Sequence, residues 1–160
     1  MASNNPVSEP VNWMERLKEN IEDMVSSKNY GRYAKNLKPL VAEEKRVVLE
    51  FEVTEELING KGTLHGMLWR PNITARRYRD SACYNINGTR CTFGFSGISV
   101  QPALLGERIT VEAECLKIGR NIIFTNATFR KANGSVVAAG KHTLARLNHL
   151  RNENGAFVRQ

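Results

Sequence analysis

Between residues 11 and 25 the apolar side chains Val11, Met14, Leu17, Ile21, Met24 and Val25 recur at helical spacing. Glu15, Lys18, Glu19 and Glu22 fall largely on the other side. The pattern predicts one amphipathic helix, broken by "NYGRY". Ahead of it, residues 1–9 offer little to bury and read as a disordered N-terminus. Residues 37–57 switch period. "LKPLVAEE" and "KRVVLEFEVTEE" are joined by a short charged turn, and Val48, Glu50 and Glu52 alternate with Leu49, Phe51 and Val53, predicting a β-hairpin. The carboxyl half is strand-rich again: "RITVEAECLKI" alternates Ile109, Val111, Ala113 and Cys115 with charged or polar neighbours. "NIIFTNATFRKA" and "SVVAAGKHTLARL" complete a meander, linked by the tight turn "NG" at 133–134.

Helix, two strands, a middle segment and about four more strands make an α+β order. An antiparallel sheet with one apolar face needs a cover. The middle segment, 66–97, is placed to supply it as a helix. At 160 residues the chain is most economically one domain, spanning 10–150, with 151–160 as a flexible tail.

Composition narrows the setting. No window approaches the ~18 apolar residues of a spanning helix, and the first twenty residues lack an apolar signal core. The expected address is the cytoplasm, with the mitochondrion as the alternative. Cys83, Cys91 and Cys115 cannot pair completely and show no C-x-x-C spacing, which supports neither a disulfide framework nor a metal site. The sequons at Asn72, Asn87, Asn126 and Asn133 are then expected to stay unglycosylated. A net charge of +7 invites a polyanion, either nucleic acid or a phosphate-bearing small molecule, or serves solubility alone.

The stretch "INGKGTLHGML", residues 58–68, holds the densest candidate chemistry. Gly60, Gly62 and Gly66 give G-x-G-x-x-x-G, one residue too long for a dinucleotide fingerprint, and Lys61 is followed by Gly62 rather than by the Ser or Thr of a P-loop. What remains is a strand end delivering polar groups to a helix start, where unpartnered N–H groups carry partial positive charge. Gly66 would let a carbonyl oxygen approach such an N–H. The plainer alternative is a turn that His65 caps and the glycines permit.

The neighbouring text decides between them. "NLKPLVAEEKRVVLEFEVTEELINGKGTLHG" and "QPALLGERITVEAECLKIGRNIIFTNATFRKANGSVVAAGKHTLA" resemble, in order, the hotdog-fold acyl-CoA thioesterases of the phenylacetate-degradation-like group. The resemblance implies an antiparallel sheet wrapped around a central helix, dimers joined sheet edge to sheet edge, and frequent pairing into tetramers. It implies hydrolysis of fatty-acyl- or aryl-acyl-CoA to free acid and coenzyme A, with no cofactor required beyond the coenzyme A of the substrate. Carried over, Asn59 matches the asparagine near the water and thioester. His65 matches the histidine that binds or polarises the carbonyl, and Gly66 the backbone donor. Lys117, Gly119, Arg120 and Asn121 match the strand-turn stretch that meets coenzyme A. That ligand is anionic, which gives the positive charge a use; the bland reading of "KIGRN" is an ordinary hairpin turn. His142 and His149 are expected on the surface or in packing.

The likeness stops after Gly66. The family aspartate, nine residues beyond the histidine, falls on Thr74; the second glycine of the pair is Met67; a family serine falls at Thr92 or Ser96. Thioester hydrolysis needs a carboxylate as well as oxyanion donors, and Asp80 is the nearest acid after the motif. Pro71 together with Arg70, Arg76, Arg77 and Arg79 argues against an unbroken, buried helix. Three explanations stay open: a misread middle segment, a diverged and poorly active relative, or a different acid. Two other functions compete. One is a non-catalytic acyl-CoA-binding or scaffold protein on the same fold. The other is a nucleic-acid-binding domain, which lacks any helix-turn-helix, zinc or RNA-recognition pattern.

Overall fold

Asn12 opens the helix that the periodicity predicts. Its Oδ1 accepts the Glu15 N–H at 3.2 Å and its Nδ2 donates to the Glu15 carboxylate at 3.2 Å, so the capping side chain and the residue three on hold each other. The computed structural model describes residues 11–26, 35–65 and 90–146. Helix α1 (Trp13–Ser26) buries Leu17 and Ile21, the middle of the expected stripe, in the main core, whereas Val11 and Val25 at its ends are exposed. Strands β1 (Lys38–Ala42) and β2 (Arg46–Glu52) form the predicted hairpin. A short 3-10 turn follows at Glu55–Leu57.

Strands β3 (Arg90–Ser99), β4 (Arg108–Ile118), β5 (Ile122–Lys131) and β6 (Val136–Arg146) complete one sheet, ordered β1-β2-β4-β5-β6-β3 with every pair antiparallel. The β4-β5-β6 meander is as expected. Strand β3 corrects the reading of 66–97 as a helical cover throughout. From Arg90 onward the chain is extended and pairs with β6, from Arg90 opposite Arg146 to Ser99 opposite Ala138. Thr, Phe and Ile in "RCTFGFSGIS" favour that state, but the partner strand lies some fifty residues on, beyond the reach of local patterning. The central helix expected earlier in that stretch, and with it Gly66, Met67, Thr74 and Asp80, lies outside the described residues; so do the two chain termini and His149.

One face of the sheet carries the core. Val47, Leu49 and Phe51 of β2 meet Ile109, Val111, Ala113 and Cys115 of β4, then Ile123, Ala127 and Phe129 of β5, then Ala138 and Leu144 of β6. His142 is 3% exposed on this face, in register with Thr125 and Phe95. The Thr125 hydroxyl donates to the His142 carbonyl at 3.2 Å. The other face is polar, with Arg46 paired to Glu112 at 2.6 Å and Asn126 donating to Glu114 at 3.4 Å.

Leu49 is fully buried at the centre of this core. Leu49→Ala is expected to lower unfolding free energy by roughly 2–5 kcal/mol, read from the shift of a urea denaturation midpoint at unchanged slope.

Candidate functional site

After β2 the chain leaves the sheet, makes the 3-10 turn and doubles back on itself. Ile58 and Leu64 form an antiparallel bridge, and between them Asn59 organises a tight loop. Its backbone N–H donates to Thr63 O at 2.8 Å, and its carbonyl accepts Gly62 N–H at 2.9 Å. Its side-chain Oδ1 accepts Lys61 N–H at 2.8 Å and Thr63 N–H at 3.3 Å, while Nδ2 donates to Thr63 Oγ1 at 2.9 Å. An asparagine whose amide bonds its own backbone two residues on is a turn former. Gly62 closes the loop at φ +72°, a region that costs other residues a steric penalty. Thus "NGKGT" folds for reasons of its own.

The loop is then docked. Leu64 is buried, and its N–H donates to Ala103 O at 2.8 Å; Thr63 is bridged to Leu104; His65 N–H donates to Leu57 O at 2.8 Å. His65 is half-buried, and the docked loop fixes its backbone.

The surface that receives the loop is the turn before β4, and Glu107 holds that turn together. Its carboxylate accepts Leu104 N–H at 2.8 Å and the Lys131 ammonium at 2.9 Å. Its own N–H donates to Leu104 O at 3.1 Å and its carbonyl accepts Val53 N–H at 2.9 Å. Gly106 sits between at φ +80° and donates to Val53 O at 2.8 Å. The Lys131 bond, with help from Leu104 N–H, holds the Glu107 carboxyl below its ordinary pKa against the opposing effect of burial. Sequence reasoning quoted "LGE" as family text but missed Thr63, Glu107 and Lys131. Gly-Glu ahead of an alternating strand was the available signal.

Lys117 lies in the last turn-ward residues of β4, and Gly119, Arg120 and Asn121 form the β4-β5 turn. Gly119 N–H donates to Ile122 O at 2.8 Å, and a Cβ there would lie 2.7 Å from the same oxygen, so the turn excludes a side chain at Gly119. An extra residue in β4 between Cys115 and Lys117 twists the strand just before the turn. Lys117, Arg120 and Asn121 are exposed, beside the exposed apolar side chains Leu116, Ile118 and Phe124. Asn59 and His65 belong to the Arg108 end of β4 and this turn to the Ile118 end. The eleven residues of β4, at ~3.3 Å per step and with one residue bulged, put roughly 30 Å between those two ends. A cavity of about 390 Å³ lies at the β1-β2 side, lined by Lys35, Lys38, Glu50, Glu52 and Arg108 among others, and none of the carried-over residues lines it. Among the described residues no cluster of His, Cys, Asp or Glu could hold a metal, and no helix is long and apolar enough to cross a membrane.

No protein-family model matches the chain. Human acyl-coenzyme A thioesterase 13 is 30% identical over 128 residues, covering 79% of this chain and 91% of that protein. The crystal structure of zebra fish thioesterase superfamily member 2 superposes with a TM-score of 0.74 at 26% identity, covering 84% of this chain and 98% of that one. A Streptococcus mutans protein solved bound to acetyl CoA shares the fold at a TM-score of 0.65 and 18% identity, covering 71% and 90%. The chain belongs to the hotdog-fold acyl-CoA thioesterase family.

The Glu107–Lys131 pair makes a pH prediction. Because the folded carboxyl titrates below its ordinary range, its stabilisation is complete above the unfolded carboxyl's pKa and is lost as pH falls through the lower folded one. Lys131→Met is therefore expected to lower the melting temperature at pH 7, and the gap to wild type is expected to close in increasingly acid buffer. A gap that stays constant to pH 3 contradicts this assignment.

Proposed function

We propose that the protein hydrolyses acyl-CoA thioesters to free acid and coenzyme A, at sites each built from two copies of the chain. Family membership carries the reaction class. The single geometric observation that shapes the rest is the separation of the two carried-over residue sets. From thiol to pyrophosphate, coenzyme A has thirteen bonds, which at ~1.2 Å per bond of extended chain span roughly 16 Å. That is about half of the ~30 Å between the two ends of β4. The His65 loop and the Lys117–Asn121 stretch of one chain are therefore too far apart to hold the thioester and the pyrophosphate of one ligand. A second chain brings its own turn to the loop.

Strand β3 is the edge suited to that pairing. It runs ten residues without proline, and Ile98 and Val100 at its end are well exposed. At the other edge, β1 is five residues long and carries Pro39. An exposed edge of unpaired N–H and C=O groups is a template for a second copy. A homodimer across β3 is the unit, with a pair of dimers as the full assembly. The cytoplasm is the proposed address, in fatty-acid metabolism.

In the mechanism supported by the resemblance, the thioester oxygen accepts the Gly66 N–H with His65 beside it, and the Asn59 amide faces the attacking water. Asn59 has one Nδ2 hydrogen left for that contact once Thr63 takes the other. Asp80, the nearest acid in sequence, is the proposed base, since Thr74 stands where the family carboxylate belongs and cannot activate water. Lys117 and Arg120 of the second chain meet the phosphates, and the Gly119 turn presents Asn121.

Purified protein incubated with a panel of acyl-CoAs and a thiol reporter is expected to release thiol slowly, and Thr74→Asp to raise kcat by at least about tenfold. No thiol release from either form, with coenzyme A binding retained, establishes instead the non-catalytic acyl-CoA-binding reading on the same fold.

A further inference from the structure

The loop that presents His65 is held on both sides, and one of those sides rests on a carboxylate. Leu64 N–H binds Ala103 O and Thr63 is bridged to Leu104, so the 101–107 turn is the wall against which residues 63–65 are set. That wall has Gly106 in the left-handed region and two exposed leucines, Leu104 and Leu105. Little apolar packing fixes it besides Ala103, which is 1% exposed. Its shape comes from Glu107, which ties Leu104 on one side and Lys131, at the end of β5, on the other. The pair is unlike the exposed Lys35–Glu56 contact, whose side chains are about half accessible: here the values are 18% and 32%. Exposed pairs contribute little to order; the part-buried Lys131–Glu107 bond, whose carboxylate also takes the Leu104 N–H at the surface, contributes more.

We propose that Glu107 is a positioning residue of the thioesterase centre, clamping the 101–107 turn to β5 and thereby setting the backbone of residues 63–65 that places His65. The inference rests on the acyl-CoA thioesterase reading of the site. Glu107 touches no reacting atom. It acts through Leu104 N–H, Ala103 O and Leu64 N–H in series. Displacement of a catalytic group by about an ångström is enough to cost up to ~100-fold in rate while leaving substrate binding elsewhere intact. Binding of the phosphates is assigned to the second chain's Lys117 and Arg120, which the 101–107 turn does not hold, so loss of the clamp acts on kcat rather than on KM.

The test compares wild type with Glu107→Ala, Glu107→Gln and Lys131→Met, by acyl-CoA hydrolysis and by amide hydrogen exchange. Glu107→Ala is expected to lower kcat about tenfold with KM changed less than about twofold. Glu107→Gln keeps an oxygen for Leu104 N–H and is expected to recover most of the rate, with Lys131→Met in between. Exchange is expected to quicken at Leu64, His65 and Leu104 in Glu107→Ala, with the β4 and β5 amides unchanged. An active wild type with Glu107→Ala equally fast, or Glu107→Gln as slow as Glu107→Ala, overturns the proposal. If wild type itself releases no thiol, the thioesterase reading fails, and exchange alone decides the clamp. Quickening confined to residues 63–65 and 103–107 supports it; unchanged protection there, or quickening throughout the sheet, overturns it.

Discussion

A central strand that buries one face along most of its length has no freedom of register. Sliding β4 by one residue would turn Ile109, Val111, Ala113 and Cys115 outward and bring Thr110, Glu112 and Glu114 into the core. Since β4 pairs with both β2 and β5, its register sets theirs: Glu52 lies opposite Arg108, and Ile109 opposite both Phe51 and Lys131. From that alignment follows the position of everything that matters chemically. The end of β2, the turn before β4 and the end of β5 come together, and the loop of residues 58–65 has one place to dock. The β4-β5 turn, with Lys117 and Arg120, is carried to the opposite end by the same constraint.

Elements whose information is local were legible in the chain. The α1 stripe, the β1-β2 hairpin and the β4-β5-β6 meander each repeat a two-residue or helical period over their own length, and neighbours in sequence are neighbours in space. Strand β3 was not legible as the partner of β6, because "RCTFGFSGIS" mixes glycines with apolar residues and its hydrogen bonds go to residues 138–146. The clasp at Glu107 was hidden for a related reason. Its three contacts reach Leu104, Val53 and Lys131, and no periodicity joins those positions.

Asn59 shows how a residue can carry two readings at once. Resemblance gives it a place beside water and thioester. Geometry gives it a turn to hold, because its Oδ1 takes two backbone N–H groups and one Nδ2 hydrogen goes to Thr63. These demands are compatible, since an amide has two donors and only one is used. They also predict different damage: a side chain unable to accept Lys61 and Thr63 N–H would loosen the loop whatever it did to water.

That doubling limits what the glycine-histidine loop says about activity. Asn59, Gly62, Thr63 and Leu64 are needed for the loop to close and dock, in a hydrolase and in a silent binder alike. Glu107 and Lys131 belong to the same mechanical requirement. At Thr74 the family carboxylate is absent. A chain can therefore keep the whole oxyanion half of a thioesterase centre for reasons of folding. The identity of the residue that activates water is separate information, carried by the acid half alone, and the quality of the loop's geometry adds nothing to it.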